Sequence, residues 1–185
     1  RALAGACSDE EVYKIEMLMN PAGITVHDRP VVDAAMKRAE ETGAPAAAME
    51  LHDGRMVTGK TSDLLGACAA LLLNALKELA GIPHDRPVIS PAAIEPIQTL
   101  KTQYLGSKNP RLHTDEVLIA LSVSAASDPD AQKALEQLPN LKGCQAHTSV
   151  MVGDVDRKQF MKLSVQATFE AKYENNSVFF PKKGV

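Results

Sequence analysis

Between residues 46 and 81 an Asp-Gly between short apolar runs is followed by one long run at helical spacing, and that succession limits the fold more than any other feature of the chain. Two short apolar runs, 46–51 and 55–58, flank His52-Asp53-Gly54. An Asp-Gly between such runs signals a β-hairpin. Ser62-Asp63 then caps a long helix ending at Gly81, whose Leu64, Ala67, Cys68, Leu71, Leu72, Ala75 and Leu79 recur at helical spacing. A hairpin feeding an amphipathic helix implies a sheet with at least one helical layer on it.

The flanking segments extend this pattern. Ser8 and Glu11 form a capping box for a helix over 9–19 that stops at Asn20-Pro21, and a short apolar Ile24-Thr25-Val26 follows. Pro30 opens a second helix running to Gly43. Val88-Ile89-Ser90 reads as a strand, and Ser90-Pro91 starts a helix through about 105 that Pro96 disturbs. Thr114-Asp115 and Ser127-Asp128-Pro129 begin a helical pair, so a helical segment is expected over about 107–142. The C-terminal part reads as strand 147–152, helix 155–163 and strand 165–173, with the tail after Asn175 unassigned. The string His-Asp-Arg-Pro occurs twice, at 27–30 and 84–87.

With 185 residues, 45% of them hydrophobic and 23% charged, the chain is expected to form a single α/β domain over 1–185. Its net charge of -3 argues against nucleic-acid binding, which draws on a basic surface. The apolar run 64–76 is interrupted by Gly66 and Asn74 and is shorter than the roughly 20 residues of a membrane span. Cys7, Cys68 and Cys144 form an odd set without a paired motif, which points to a reducing, cytoplasmic setting. The chain begins with Arg1 and not Met, and no leader pattern follows, which reads as a cut inside a longer protein.

Two patterns in the hairpin region carry chemistry. Gly54-Arg55-Met56-Val57-Thr58-Gly59-Lys60-Thr61 matches the spacing of a phosphate-binding loop, whose backbone N–H groups cradle phosphates while the Lys reaches the outer ones. That motif requires a loop between strand and helix, whereas Met56-Val57 are strand formers and Asp53-Gly54 suits a hairpin turn. The run 46–59 followed by Cys68-Ala69-Ala70 resembles the cytidine deaminase fold, as does Ser90-Pro91-Ala92-Ala93-Ile94-Glu95. The resemblance implies a three-layer α/β/α architecture. Ala70 stands where that fold has its catalytic Glu, and Ala92 and Glu95 stand where it has cysteines, so the zinc chemistry is not expected and no metal is assigned.

The runs Asn20-Pro21-Ala22-Gly23-Ile24-Thr25-Val26, 53–62, 105–122 and 137–147 resemble the C-terminal part of the bacterial domain-of-unknown-function 1846 family. The resemblance spans most of the chain. It implies a bacterial, cytoplasmic protein whose function is uncharacterised and whose C-terminal part is cytidine deaminase-like in fold, here with the added helical segment.

Two polar clusters are the candidate sites. Lys60-Thr61-Ser62 lies at a strand-to-helix junction, where a cation and open N–H groups suit a phosphate or carboxylate; a plain helix cap explains the same residues. Asn109-Pro110-Arg111-Leu112-His113-Thr114-Asp115-Glu116 gathers a guanidinium, an imidazole and two carboxylates before an apolar helix. There His113 is the candidate general base and Arg111 an anion clamp, with Asp115 and Glu116 as further ligand contacts. A Thr114 cap with Asp115 and Glu116 complementing the dipole is the structural alternative. The functional reading is a domain that binds a small anionic metabolite or nucleotide without zinc, with the N-terminal part of the same protein as partner. The alternatives are a structural or oligomerisation module, in which the chain forms a homo-oligomer, and a phosphate-loop ATP-binding domain.

Overall fold

The computed structural model describes residues 29–173, so the helix read over 9–19, the Ile24-Thr25-Val26 run, Cys7 and the tail after Asn175 lie outside the described residues. The elements are α1 (Pro30–Thr42), β1 (Ala46–Glu50), β2 (Met56–Lys60), α2 (Ala67–Ala80), α3 (Pro91–Thr99), α4 (Thr114–Ala125), α5 (Pro129–Glu136), β3 (Gln145–Thr148), α6 (Asp154–Lys162) and β4 (Gln166–Phe169). Together they are a mixed α/β domain.

Local chemistry accounts for the main boundaries. Pro30 sits in the first turn of α1, and Gly43, at φ 65°, closes it in the left-handed conformation with its N–H on the Ala39 carbonyl. Gly54, at φ 86°, makes the hairpin turn, and the Asp53 carboxylate accepts from both the Arg55 N–H and its guanidinium. The sheet order is β2-β1-β3-β4, with β1 antiparallel to both neighbours and β3 parallel to β4 through the α6 crossover.

Strand β1 is buried on both faces. Ala48 packs with Val31, Val32 and Ala35 of α1, while Ala47 and Met49 point the other way, into the larger core built on α2. The alanines let helices approach both faces closely. On β2 the same economy is extreme. A Cβ at Gly59 would lie 2.2 Å from the Leu71 nitrogen of α2. Helices α4 and α5 pack on each other and on α2, and α6 packs on α4 and β4.

Three readings need correction, and one alternative is set aside. Helix α2 begins at Ala67, with Gly66 as its N-cap and not Ser62-Asp63. The preceding backbone is used elsewhere: the Leu64 carbonyl accepts from Leu112 N and the Gly66 N–H donates to the Leu112 carbonyl, leaving Ser62 to close only a local turn. Val88 and Ile89 are buried but form no strand, because Pro87 and Pro91 remove ladder donors on both sides. Strands β3 and β4 end at Thr148 and Phe169, short of the expected 152 and 173. Finally, the phosphate-loop pattern is a β-strand. Thr58, Gly59 and Lys60 pair with Ala48, Ala47 and Ala46, so these residues do not form a phosphate-cradling loop, and the ATP-binding alternative loses its basis.

No helix among the described residues is long and apolar enough to cross a membrane.

Candidate functional site

The segment before α4 is held by its own short polar side chains. Ser107 Oγ accepts the Asn109 N–H and Asn109 Oδ1 accepts the Arg111 N–H, while buried Leu112 bridges to Leu65. This anchoring places Arg111 and His113 on either side of a fixed point. Arg111 is buried and donates through Nε to the Ser62 carbonyl. Buried Lys101, in a π-helical turn that continues α3 over Leu100–Tyr104, donates to the Arg111 carbonyl and to Glu116 Oε2 at 2.8 Å. The same Glu116 oxygen accepts the His113 N–H at 2.8 Å. His113, not Thr114, is therefore the N-cap position of α4, and Glu116 reaches back as in a capping box.

Asp156 of α6 completes the cluster. Its Oδ1 accepts the Thr114 N–H at 2.9 Å and the Thr114 hydroxyl at 2.7 Å, and its Oδ2 lies 3.6 Å from His113 Nδ1. The His113 side chain is 37% exposed against 12% for Asp156. The Asp156 carboxylate facing the ring raises the His113 pKa above its ordinary value, outweighing burial, which alone would lower it. Burial pushes the Asp156 pKa up, yet the His113 and Thr114 contacts win and hold it below the ordinary carboxylate value. The result is an imidazole backed at Nδ1 by a fixed anion, with no hydrogen bond at Nε2 among the described residues. Such a ring accepts or donates a proton at its outer nitrogen.

The structure thus brings together Ser62, Arg111, His113 and Glu116. Lys60 stands apart: Gly59 faces α2, so alternation turns the exposed Lys60 to the α1 face of the sheet. Thr61 is buried and its N–H donates to the Pro45 carbonyl. Asp115 accepts the Glu116 N–H and borders a cavity of about 390 Å³ with Leu118, Ile119, Ser122, Val123 and Gln159. Lys101 and Asp156 are absent from the sequence reading, since each meets its partners only through tertiary packing.

A second histidine cluster lies on the α1 face. His147 Nδ1 is 2.8 Å from Thr168 Oγ1 and its Nε2 is 3.1 Å from Glu170 Oε1, while Arg29 donates to Thr168 Oγ1 and Gln145 Oε1. The parallel register His147↔Thr168 creates it, and alternating polar residues at 145, 147, 166, 168 and 170 are the signal that would have found it. Burial pushes the His147 pKa down, against the pull of Glu170. Only 4% exposed, His147 offers a ligand nothing directly, and this ranks it below His113. Among the described residues no three His, Cys, Asp or Glu side chains are grouped to hold a metal ion.

Residues 27–179 match the family described as "Domain of unknown function DUF1846, C-terminal". The chain is 57% identical over 166 residues to a UPF0371 protein of Corynebacterium glutamicum, covering 90% of the chain and 34% of that relative. It is 58% identical over 166 residues to a UPF0371 protein of Corynebacterium efficiens, with the same coverage of both chains. A UPF0371 protein of Streptococcus thermophilus is 49% identical over 168 residues, covering 91% of the chain and 34% of the relative. The chain spans about a third of the length of these curated relatives. It belongs to the DUF1846 C-terminal family, whose members' function is uncharacterised.

Proposed function

We propose that this DUF1846 C-terminal domain binds a small anionic metabolite at the outer edge of the His113–Asp156 pair and exchanges a proton with it through His113 Nε2. The remainder of the longer bacterial protein closes the site. The observation that carries the reading is the asymmetry of the pair, a solvent-facing imidazole on a buried carboxylate that Thr114 holds at two points. Its raised pKa favours the charged imidazolium form, which suits a carboxylate or phosphate. Arg111, Lys101 and Glu116 fix the backbone around the ring and are spent internally, so they position His113 and do not clamp the ligand.

The test is a thermal-shift screen of the full-length protein against carboxylates and sugar phosphates, repeated with His113→Ala. A ligand shift lost in the variant supports the reading, and shifts of equal size in both proteins overturn it.

The finer fold reading, cytidine deaminase-like, rests on the hairpin leading into α2 and on α3 opening at Ser90-Pro91; it carries architecture without zinc chemistry. A cytoplasmic setting belongs to the same proposal and draws support from the odd cysteine set without a paired motif, of which Cys68 and Cys144 are buried. A second reading, an assembly module, is favoured by Ile119 and Val123, which are 64% and 71% exposed on α4. Val123→Glu changing the oligomeric mass in light scattering supports it; an unchanged mass overturns it.

A further inference from the structure

Among the described residues two lysines, Lys77 and Lys101, are buried, and their surroundings differ. Lys101 has Glu116 at 2.8 Å. Lys77, in the last turn of α2, is 7% exposed and forms no ion pair with a carboxylate among the described residues; its Nζ donates only to the His84 carbonyl, at 2.6 Å. Burying an uncompensated ammonium is costly, and the cost falls when the group loses its proton. Burial accordingly holds the Lys77 amine below the ordinary lysine range, with Asp85 opposing.

Lys77 lines a cavity of about 280 Å³ between α2, the 84–89 loop and the start of α3. Leu73, Val88, Ile89 and Ile94 supply its apolar wall, with His84 and Asp85 beside Lys77. The second His-Asp-Arg-Pro string builds this rim: its Arg86 leaves the cavity for Asp128 and Asp130, which fastens the loop to the start of α5. A volume near the lower end of ligand pockets, roughly 300–1,000 Å³, admits a compound of only a few carbons.

We propose that Lys77 is a reactive amine that forms an imine with a small aldehyde or ketone bearing a short apolar chain. The neutral Nζ adds to the carbonyl carbon, its C–O π pair moves to oxygen, and the resulting carbinolamine loses that oxygen as water to leave a C=N bond. His84 and Asp85 are the proton carriers at the rim. The balance is amine plus carbonyl giving imine plus water, with no oxidant or reductant. This site lies apart from His113 and does not depend on the function proposed above.

The test exposes the full-length protein to butanal and cyanoborohydride at pH 7 and follows each lysine by peptide mass spectrometry. Lys77 is expected to be alkylated about tenfold faster than exposed Lys37, Lys60 and Lys133. Ala70→Leu, which fills the cavity and keeps the amine, is expected to remove the advantage, and Lys77→Arg to remove the adduct. Lys77 reacting no faster than the exposed lysines, or reacting equally fast in Ala70→Leu, overturns the proposal. The rate comparison within the parent protein stands even if Lys77→Arg fails to fold.

Discussion

Gly59→Ala is the sharpest test of how this fold is built. A Cβ at position 59 would lie 2.2 Å from Leu71 N and 2.7 Å from both Ala70 C and Leu71 Cα, all backbone atoms of α2. No rotamer relieves a backbone contact, so α2 must retreat from β2 by roughly 1 Å to restore van der Waals separation. Helix α2 contributes eight buried residues to the hydrophobic core, and lifting it opens gaps along that whole face. Overpacking of this kind costs about 3 kcal/mol, which for a chain of this size lowers Tm by roughly 6–12 °C. Gly153→Ala is the control, since a Cβ there meets nothing within 4 Å and the backbone is extended; its cost is at most about 1 kcal/mol. The assay is urea unfolding with both variants compared at equal m-value. If Gly59→Ala loses no more stability than Gly153→Ala, the close-approach argument fails and the glycine of the Gly-Lys-Thr string needs another explanation.

Asp156→Ala leaves the Thr114 N–H and hydroxyl unpaired in a buried site and is expected to cost about 2–3 kcal/mol in chemical denaturation. Asp156→Asn keeps the shape but removes the charge, so the His113 ring titrates at lower pH by NMR. In the parent, His113 stabilises the fold fully below its unfolded pKa and loses this as pH rises through the raised folded value; Asp156 contributes above its unfolded pKa and loses this as pH falls through the lowered one. His147 works in the opposite sense to His113. Its folded pKa is lowered, so the unfolded chain binds the proton first and stability falls as pH drops from about 6.5. His147→Gln is expected to remove a destabilisation that grows as pH drops, so that Tm between about pH 7 and 5 follows the opposite, stabilising trend set by His113, and an unchanged slope refutes the burial argument. Asp156→Asn and His147→Gln sit in separate clusters with no shared partner, so their effects should add to within about 0.5 kcal/mol in a double-mutant cycle.

The hairpin, α1 and the C-terminus of α2 were legible because their signals are local: an Asp-Gly between two short apolar runs, apolar residues at helical spacing, and glycines that close helices in the left-handed conformation. What failed was whatever depended on a distant partner. Ser62-Asp63 has the composition of a helix cap, yet Leu64 and Leu65 are taken by Leu112, so the helix starts later. Thr114 has the composition of a cap as well, but its hydroxyl belongs to Asp156, 42 residues away, which moves the cap position to His113. In both cases the right residue types were recognised and their assignment was decided by packing.

Alternation explains why the two candidate anion sites, at Lys60 and at Arg111, do not meet in space. The Gly59 contact commits one face of β2 to α2, and Lys60 must then face α1. Arg111 enters from the other side of the α2 junction, where the Ser62 carbonyl and the Lys101–Glu116 pair hold it. The same logic separates the histidines. His147 is sealed beneath Arg29 and Glu170 on the α1 face, whereas His113 keeps its outer nitrogen toward solvent at the head of α4. Two lysines of one helical layer diverge for a like reason: the turn that bears Lys101 meets a carboxylate, while the last turn of α2 meets a carbonyl and an apolar cavity. Residue type narrows the chemistry available to a position. In this domain, the face a side chain is placed on and the charge it finds there decide which of those chemistries it can perform.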